Sequence, residues 1–328
     1  MKNAPFLLKP AGKDYLWGGT RLRDDFSKDI DITPFAEAWE CSTHPDGLSI
    51  VASGPDKGKS LLSVLRAHPD YLGSHPNDPA GGIPILVKFI DAKKDLSVQV
   101  HPSDQYANEY ENGQRGKTEM WYVVDALPGT KLVYGFHRDI SREELKKCVI
   151  DGTIEKYLQK VDVHKNDVFF IKPGTVHAIG SGALIAEIQE SSNLTYRLYD
   201  YNRVDKNGKK RELHIARALD VVNCHASGLP RQPMRVLKYQ PGYASELLER
   251  CKYFQVERLL INTERIRSMY SFHTGPNSFE VFMCIDGCGV FFFGDEQFSF
   301  FKGDTIFIPA DNKEIRIHGQ AQFLKINC

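Results

Sequence analysis

The chain has 328 residues, 41% of them hydrophobic and 26% charged, and Lys+Arg equals Asp+Glu at 42 each. This is the composition of a globular protein of one large or two ordinary domains. A net charge of zero excludes bulk attraction to nucleic acid or an anionic membrane surface. No apolar run reaches the roughly 20 residues of a membrane helix. The opening "MKNAPFLLKPAGKDY" lacks the apolar core of a signal peptide, so a cytoplasmic protein is expected.

Residues 1–57 mix short apolar segments with turn residues, and "DYLWGGTRL" and "FAEAWECSTHPDG" read as strands and loops. "KSLLSVLRAHPDYLG" has Leu61, Leu62, Val64 and Leu65 at helical spacing, with Pro69 and Gly73 as stop signals. From Ile83 the texture turns to strands: "IPILVKFIDA", "LSVQVH" and "TEMWYVVDA". "SREELKKCVI" is a short helix, with Ser141 and Glu144 at capping-box spacing, and "DGTIEKYLQ" reads as a second one. Strands return in "DVFFI", "VHAI", "ALIAEIQ" and "LTYRLYDY", followed by a connecting helix in "RELHIARALDVVNCH". "GLPRQPM" (228–234) reads as a linker.

After Met234 the signals are almost all strand. The segments 163–180 and 299–319 share a plan of turn, Asp, apolar strand, Pro, turn and strand, which is a weak internal repeat. The expected fold is therefore mainly β: two tandem β-barrels with a few short helices in and after the first. The expected division is residues 1–230 and 231–328. The seven cysteines are scattered, and the Cys284/Cys288 pair lacks a second ligand pair, so free thiols are expected.

Side chains at i and i+2 of a strand share a face. Gln99 and His101 have this spacing, with Pro102 ending the strand. Lys117 and Glu119 repeat it, and Glu119 should share a face with Trp121 and Val123. A carboxylate facing a barrel interior needs a cation. His177 opens the strand after "KPGT". Taken alone, His101 reads better as a solvated strand residue and His177 as a satisfied core histidine, and Glu119 reads equally well as a solvated strand end. Together they form a His–Glu–His set with a Gln beside it, suited to Zn²⁺, Mn²⁺, Fe²⁺ or Co²⁺. The absence of cysteine points to an open, catalytic site. Glu187 shares a face with Ile185 and Gln189, and Arg197 with Thr195 and Tyr199, while Lys88 interrupts an apolar run. These can line a polar pocket beside the metal or lie on a solvated face.

"KFIDAKKDLSVQVHPSD", "GKTEMWYVVDA", "PGTVHAIGSG" and "RELHIARALDVV", with "YLWGGTRL" and "AEAWECSTHPDG", together resemble type I mannose-6-phosphate isomerase across most of residues 1–225. The resemblance implies the cupin fold, one zinc ion per chain, and interconversion of mannose 6-phosphate and fructose 6-phosphate. It implies metal ligands Gln99, His101, Glu119 and His177 and an active-site arginine, Arg197. It also places Lys88, Ser97, Lys117 and Glu187 in the substrate pocket. Only a short helical stretch separates Glu119 from His177, so the chain looks like the compact bacterial form rather than the long form with a helical insertion. The C-terminal barrel carries no ligand histidines on its strands, and His273 and His318 read as surface residues.

On that reading a base removes the C2 proton of the open-chain aldose, and the proton returns to C1 of a cis-enediolate. Arg197 stabilises the enediolate, Glu187 and Lys117 are the candidates for proton transfer, and Ser97 and Lys88 hold the phosphate. The expected partner is a small phosphosugar, with no nucleic acid and no membrane, and the oligomeric state is open. The competing functions are a metal-dependent cupin dioxygenase and a non-enzymatic sugar-phosphate-binding cupin.

Overall fold

The computed structural model describes all residues except 1–2, 75–80, 205–207, 231, 233 and 313. Its strands form three sheets, of ten, six and five strands. The six-stranded sheet runs in the order Val168–Ile171, Glu119–Ala126, Ala183–Glu190, Ile85–Asp91, Glu37–Cys41, Ala11–Lys13. The five-stranded sheet runs Tyr196–Tyr199, Val98–Val100, His177–Ala178, Lys131–Phe136, Leu158–Asp162. All pairings are antiparallel among the named strands. The sheets remain open paths rather than closing into the expected barrels.

Alternation along the strands decides what each sheet face packs against. Trp121, Val123, Ile185 and Ile90 point into a core shared with Leu132 and Ile179 of the facing sheet region. Met120, Tyr122, Ala186, Ile188 and Phe89 point the other way, against Val256, Val281, Phe307 and Leu324 of the ten-stranded sheet. The six-stranded sheet is thus buried on both faces, which explains its nearly continuous apolar runs. The outer face of the five-stranded sheet packs Val98, Val100 and Phe136 on helices Arg142–Ile150 and Ile215–Val221. Ser141 Oγ accepts the Glu144 N–H at 3.0 Å, so the expected cap is formed.

The chain's first strand, Phe6–Lys9, belongs to the ten-stranded sheet, paired with Thr305–Ile308 on one side and Ile50–Val51 on the other. Both ends of the chain therefore share one sheet. Inside that sheet's own core, Phe282, Phe291, Phe300 and Phe323 meet edge-on or tilted and fill the interior. His273 and His318 are exposed.

Several local expectations are corrected. The segment "DGTIEKYLQ" holds only the 3₁₀ turn Ile154–Lys156 before strand Leu158–Asp162, which pairs with Lys131–Phe136. Gly152, at φ +68°, ends the preceding helix. "DYLWGGTRL" is turns and the short helix Arg21–Asp24, not strand. The helix Asp104–Tyr110, N-capped by Ser103, follows the strand at Pro102 unannounced by any apolar period. "SFEVFMCID" and "GCGVFFF" are one strand, Glu280–Phe293, with a bulge between Cys284 and Asp286. Gly287 follows that bulge at φ +84°, where a Cβ would stand 2.1 Å from Gln320 O. The described part of the 228–234 linker has no helix or strand, and Arg231 and Pro233 lie outside the described residues. All seven cysteines are free.

Candidate active site

The site lies between the five- and six-stranded sheets. Val98–Val100 and His177–Ala178 pair so that Gln99 faces His177, and Gln99 also faces Arg197 on the next strand. His101 follows directly and lies on the same side as Gln99. Glu119 opens its strand on the opposite sheet, facing Gln189 two positions along from the Trp121–Glu187 pairing. The expected triad is brought together: His101, Glu119 and His177 are fully buried and their donor atoms lie within 4.8 Å of one another.

Their contacts fit a cation. His177 Nδ1 faces the Thr175 carbonyl at 2.8 Å, which can only accept, so this nitrogen carries the proton. His177 Nε2 then offers a lone pair, 3.1 Å from His101 Nε2 and 3.4 Å from Glu119 Oε1. His101 Nε2 is 3.5 Å from Glu119 Oε2 and takes a hydrogen bond from Lys117 Nζ at 3.2 Å. Two imidazole lone pairs and a carboxylate therefore converge, with all donor atoms within 4.8 Å of one another. Donor atoms around a tetrahedral zinc ion lie about 3.3 Å apart, so the spacings suit one. Burial, followed by the Lys117 charge, lowers His101 to about 3, and burial also lowers His177. Both rings are neutral at pH 7, as ligation requires. Lys117 leads the interactions that hold the buried Glu119 carboxyl well below the usual range, and its Nζ is 3.0 Å from Glu119 Oε2.

A cavity of about 550 Å³ opens in front of this cluster. Lys88, Ser97, Gln99, Lys117, Glu187 and Arg197 all line it, so every pocket residue expected from the sequence reaches it. Glu187 is held by Trp121 Nε1 on Oε2 at 2.9 Å and by Lys88 Nζ at 3.2 Å from Oε1. Burial, then the neighbouring Glu119 charge, raises its pKa. Arg197 donates from Nε to Ser97 Oγ (3.3 Å) and from Nη1 to the Glu212 carbonyl (2.8 Å), which aims the guanidinium along the cavity wall.

Other residues join the site unexpected. Glu37 lies 3.6 Å from Lys88 and accepts the Trp39 indole N–H at 2.7 Å. The i, i+2 pair Glu37 and Trp39 carries the same signal as Gln99 and His101, and could have been read from it. Tyr15 and Trp17 line the mouth from the turn segment. Arg211, His214 and Arg217 come from the segment read only as a connecting helix. Arg211 is held by Asp200, with Nε 2.8 Å from Oδ2, and Asp200 also binds Arg203.

Two family models match the chain: phosphomannose isomerase type I, catalytic domain, over residues 6–124, and mannose-6-phosphate isomerase, cupin domain, over residues 244–327. The mannose-6-phosphate isomerase ManA of Bacillus subtilis is 36% identical over 323 residues, 98% of each chain. The mannose-6-phosphate isomerase of Streptococcus mutans is 35% identical over 320 residues, 98% of this chain and 97% of its own. The crystal structure of the Bacillus subtilis mannose 6-phosphate isomerase superposes with a TM-score of 0.90 at 33% identity, covering 98% of this chain and 99% of that one. With that identity sustained over nearly its whole length, the chain is an enzyme of the type I mannose-6-phosphate isomerase family.

Proposed function

We propose that this enzyme interconverts mannose 6-phosphate and fructose 6-phosphate through a cis-enediolate, with one zinc ion held by His101, Glu119 and His177 and by Gln99 beside them. The observation that carries the metal is the convergence of two buried imidazole nitrogens and the Glu119 carboxylate within 4.8 Å of one another. Two histidines, a glutamate and no cysteine make a catalytic zinc set. A bound zinc ion supplies Lewis-acid polarisation of the sugar oxygens at C1 and C2.

The side chains divide the remaining work. Glu187 takes the C2 proton, its basicity strengthened by burial. The C2–H electron pair becomes the C1–C2 double bond, and the C1 oxygen gains the negative charge. Lys117 carries the proton exchanged between the two oxygens, and Glu187 returns its proton to C1. Arg197, fixed by Ser97 and Glu212, meets the enediolate charge. Lys88 and Ser97 contact the substrate. Lys88 is already matched by Glu37 and Glu187 and offers N–H donors to hydroxyl groups. Arg203 and Arg211 share the single carboxylate of Asp200, and Arg211 lines the cavity, so the phosphate dianion belongs at that end.

Residues 1–230 form the catalytic unit on this reading, and residues 231–328 a unit without metal ligands. Among the described residues no helix is long and apolar enough to cross a membrane, and we place the enzyme in the cytoplasm with its phosphosugar substrate. The test is elemental analysis and a coupled isomerase assay on one purified sample, before and after chelation. Zinc near one equivalent and activity lost on chelation are expected. Full turnover in demetallated protein would overturn the metal role.

A further inference from the structure

The segment between His101 and Glu119 is held from outside the catalytic sheets. Residues 102–118 run out from His101, form helix Asp104–Tyr110 and return to Glu119. The return is closed by Lys117 N donating to Pro102 O at 3.0 Å and Gly116 N donating to Asp104 Oδ1 at 2.9 Å. A Cβ on Gly116 would stand 2.4 Å from the Asp104 nitrogen, so the crossing admits only glycine. On the other side, Thr118 N donates to Glu190 Oε1 at 2.8 Å, and Glu190 N donates to Thr118 O at 3.0 Å. Lys117 and Glu119 are thus bracketed by anchors at Gly116 and Thr118.

Asp104 has a second partner, from the ten-stranded sheet. Tyr253 OH donates to Asp104 Oδ2 at 2.7 Å. Tyr253 lies in the turn between strands Tyr243–Arg250 and Gln255–Asn262, and its neighbour Phe254 is buried in the core shared with the six-stranded sheet. The hydroxyl is therefore mounted on a fixed element. Lys252, exposed, is 3.8 Å from the same oxygen. Burial, with the nearby Asp104 charge, pushes Glu190 up to about 7. None of Asp104, Glu190 and Tyr253 reaches the cavity, and the chemistry above uses none of them.

We propose that Tyr253 is a positioning residue of the isomerase site: its hydrogen bond to Asp104 fixes segment 102–118, and through it the placement of Lys117 and Glu119. The C-terminal sheet thereby takes part in catalysis although it contributes nothing to the cavity lining. The inference rests on the reading that His101, Glu119 and His177 hold the metal.

The test uses the full-length protein loaded with Zn²⁺, as wild type, Tyr253→Phe, Asp104→Asn and the double variant. Zinc loss to a competing chelator, amide hydrogen exchange over residues 102–118, kcat and KM are measured. Tyr253→Phe should speed zinc loss about tenfold, the lower end of what an outer-shell change does to a metal site. It should also raise exchange in 102–118 and lower kcat with KM nearly unchanged. Added to Asp104→Asn, it should do nothing further. A hydroxyl serving packing alone would move the unfolding temperature but neither zinc loss nor exchange. Unchanged zinc loss and exchange in Tyr253→Phe, or an undiminished effect in the Asp104→Asn background, would overturn the proposal. If wild-type protein takes up no zinc, the metal reading fails instead, and exchange over 102–118 still decides the anchoring.

Discussion

Lys88 and Glu187 stand directly opposite each other on neighbouring strands, and their side chains meet at 3.2 Å in the wall of the cavity. Glu37 flanks the same lysine at 3.6 Å. One buried cation thus serves two buried carboxylates, and it restrains the pKa of Glu187, which burial and Glu119 push upward. Removing the lysine takes that restraint away. In Lys88→Met the pKa of Glu187 should rise, and the base form needed for proton abstraction should be present only above a higher pH. The acidic limb of the kcat/KM profile should move upward by a unit or so, about 1.4 kcal/mol of lost charge pairing per unit. A profile superimposable on wild type would remove Glu187 from the role of base.

Arg197 is the charged group whose geometry is best suited to the developing oxyanion. Ser97 and the Glu212 carbonyl hold it at two points, so little reorganisation accompanies the reaction. Arg197→Ala should lower kcat by about 10²–10³-fold, the usual effect of deleting one preorganised donor. Zinc content by elemental analysis should stay at the wild-type level, because the guanidinium is not among the converging donors. Arg197→Lys should restore only part of the rate, since an ammonium cannot keep both anchors and still face the substrate. Turnover near wild type in Arg197→Ala would rule out the assigned role.

Strand parity made much of this site legible before any coordinates. Gln99 with His101, and Lys117 with Glu119, are i, i+2 pairs whose polarity is out of place on a buried strand, and each pair ends up at the cavity or the cluster. Parity says which residues share a face but not which faces meet. That information lies in pairings between distant segments, as in Gln99 opposite His177. The same limit hid the pairing of Phe6–Lys9 with Thr305–Ile308, and the contact of Tyr253 with Asp104. Helix Asp104–Tyr110 escaped because its one fully buried residue is Ala107, with Tyr106 beside it, leaving no period to read. Arg211 escaped because its purpose depends on Asp200, and nothing local marks that carboxylate as a clamp.

The two ends of the chain are also joined by a buried ion pair. Lys28 Nζ lies 2.7 Å from Glu40 Oε2, and Thr305 Oγ1 donates to the same oxygen at 2.9 Å. Lys28 also reaches the Gly303 carbonyl. Deleting one partner leaves the other charge buried without compensation, whereas replacing both with apolar groups does not. Glu40→Ala should cost about 3–5 kcal/mol in chemical denaturation. Lys28→Met with Glu40→Leu should cost clearly less than Glu40→Ala alone. Equal costs would mean that the pair contributes its packing volume and little of its charge.

Acid should destabilise the metal-free protein through its own ligand histidines. His101 is held at about 3 in the folded state against 6.5 for a free imidazole, chiefly by burial. Between those values the unfolded chain binds a proton that the folded chain refuses. The number of protons bound is then larger in the unfolded state, so stability falls as pH drops through that window. The steepest contribution is about 1.4 kcal/mol per pH unit for one such proton. His177 is lowered in the same sense and adds to the slope. Glu190 opposes it: its folded value of about 7 lies above the 4.5 of a free carboxyl, so it gains a proton first in the folded state. Comparing wild type with His101→Gln, both stripped of metal, cancels the Glu190 contribution. Thermal unfolding between pH 7 and pH 5 should show the wild-type midpoint falling faster than that of His101→Gln. Parallel curves would mean that His101 accepts its proton in the folded state, and that the cluster is less closed to water than its burial implies.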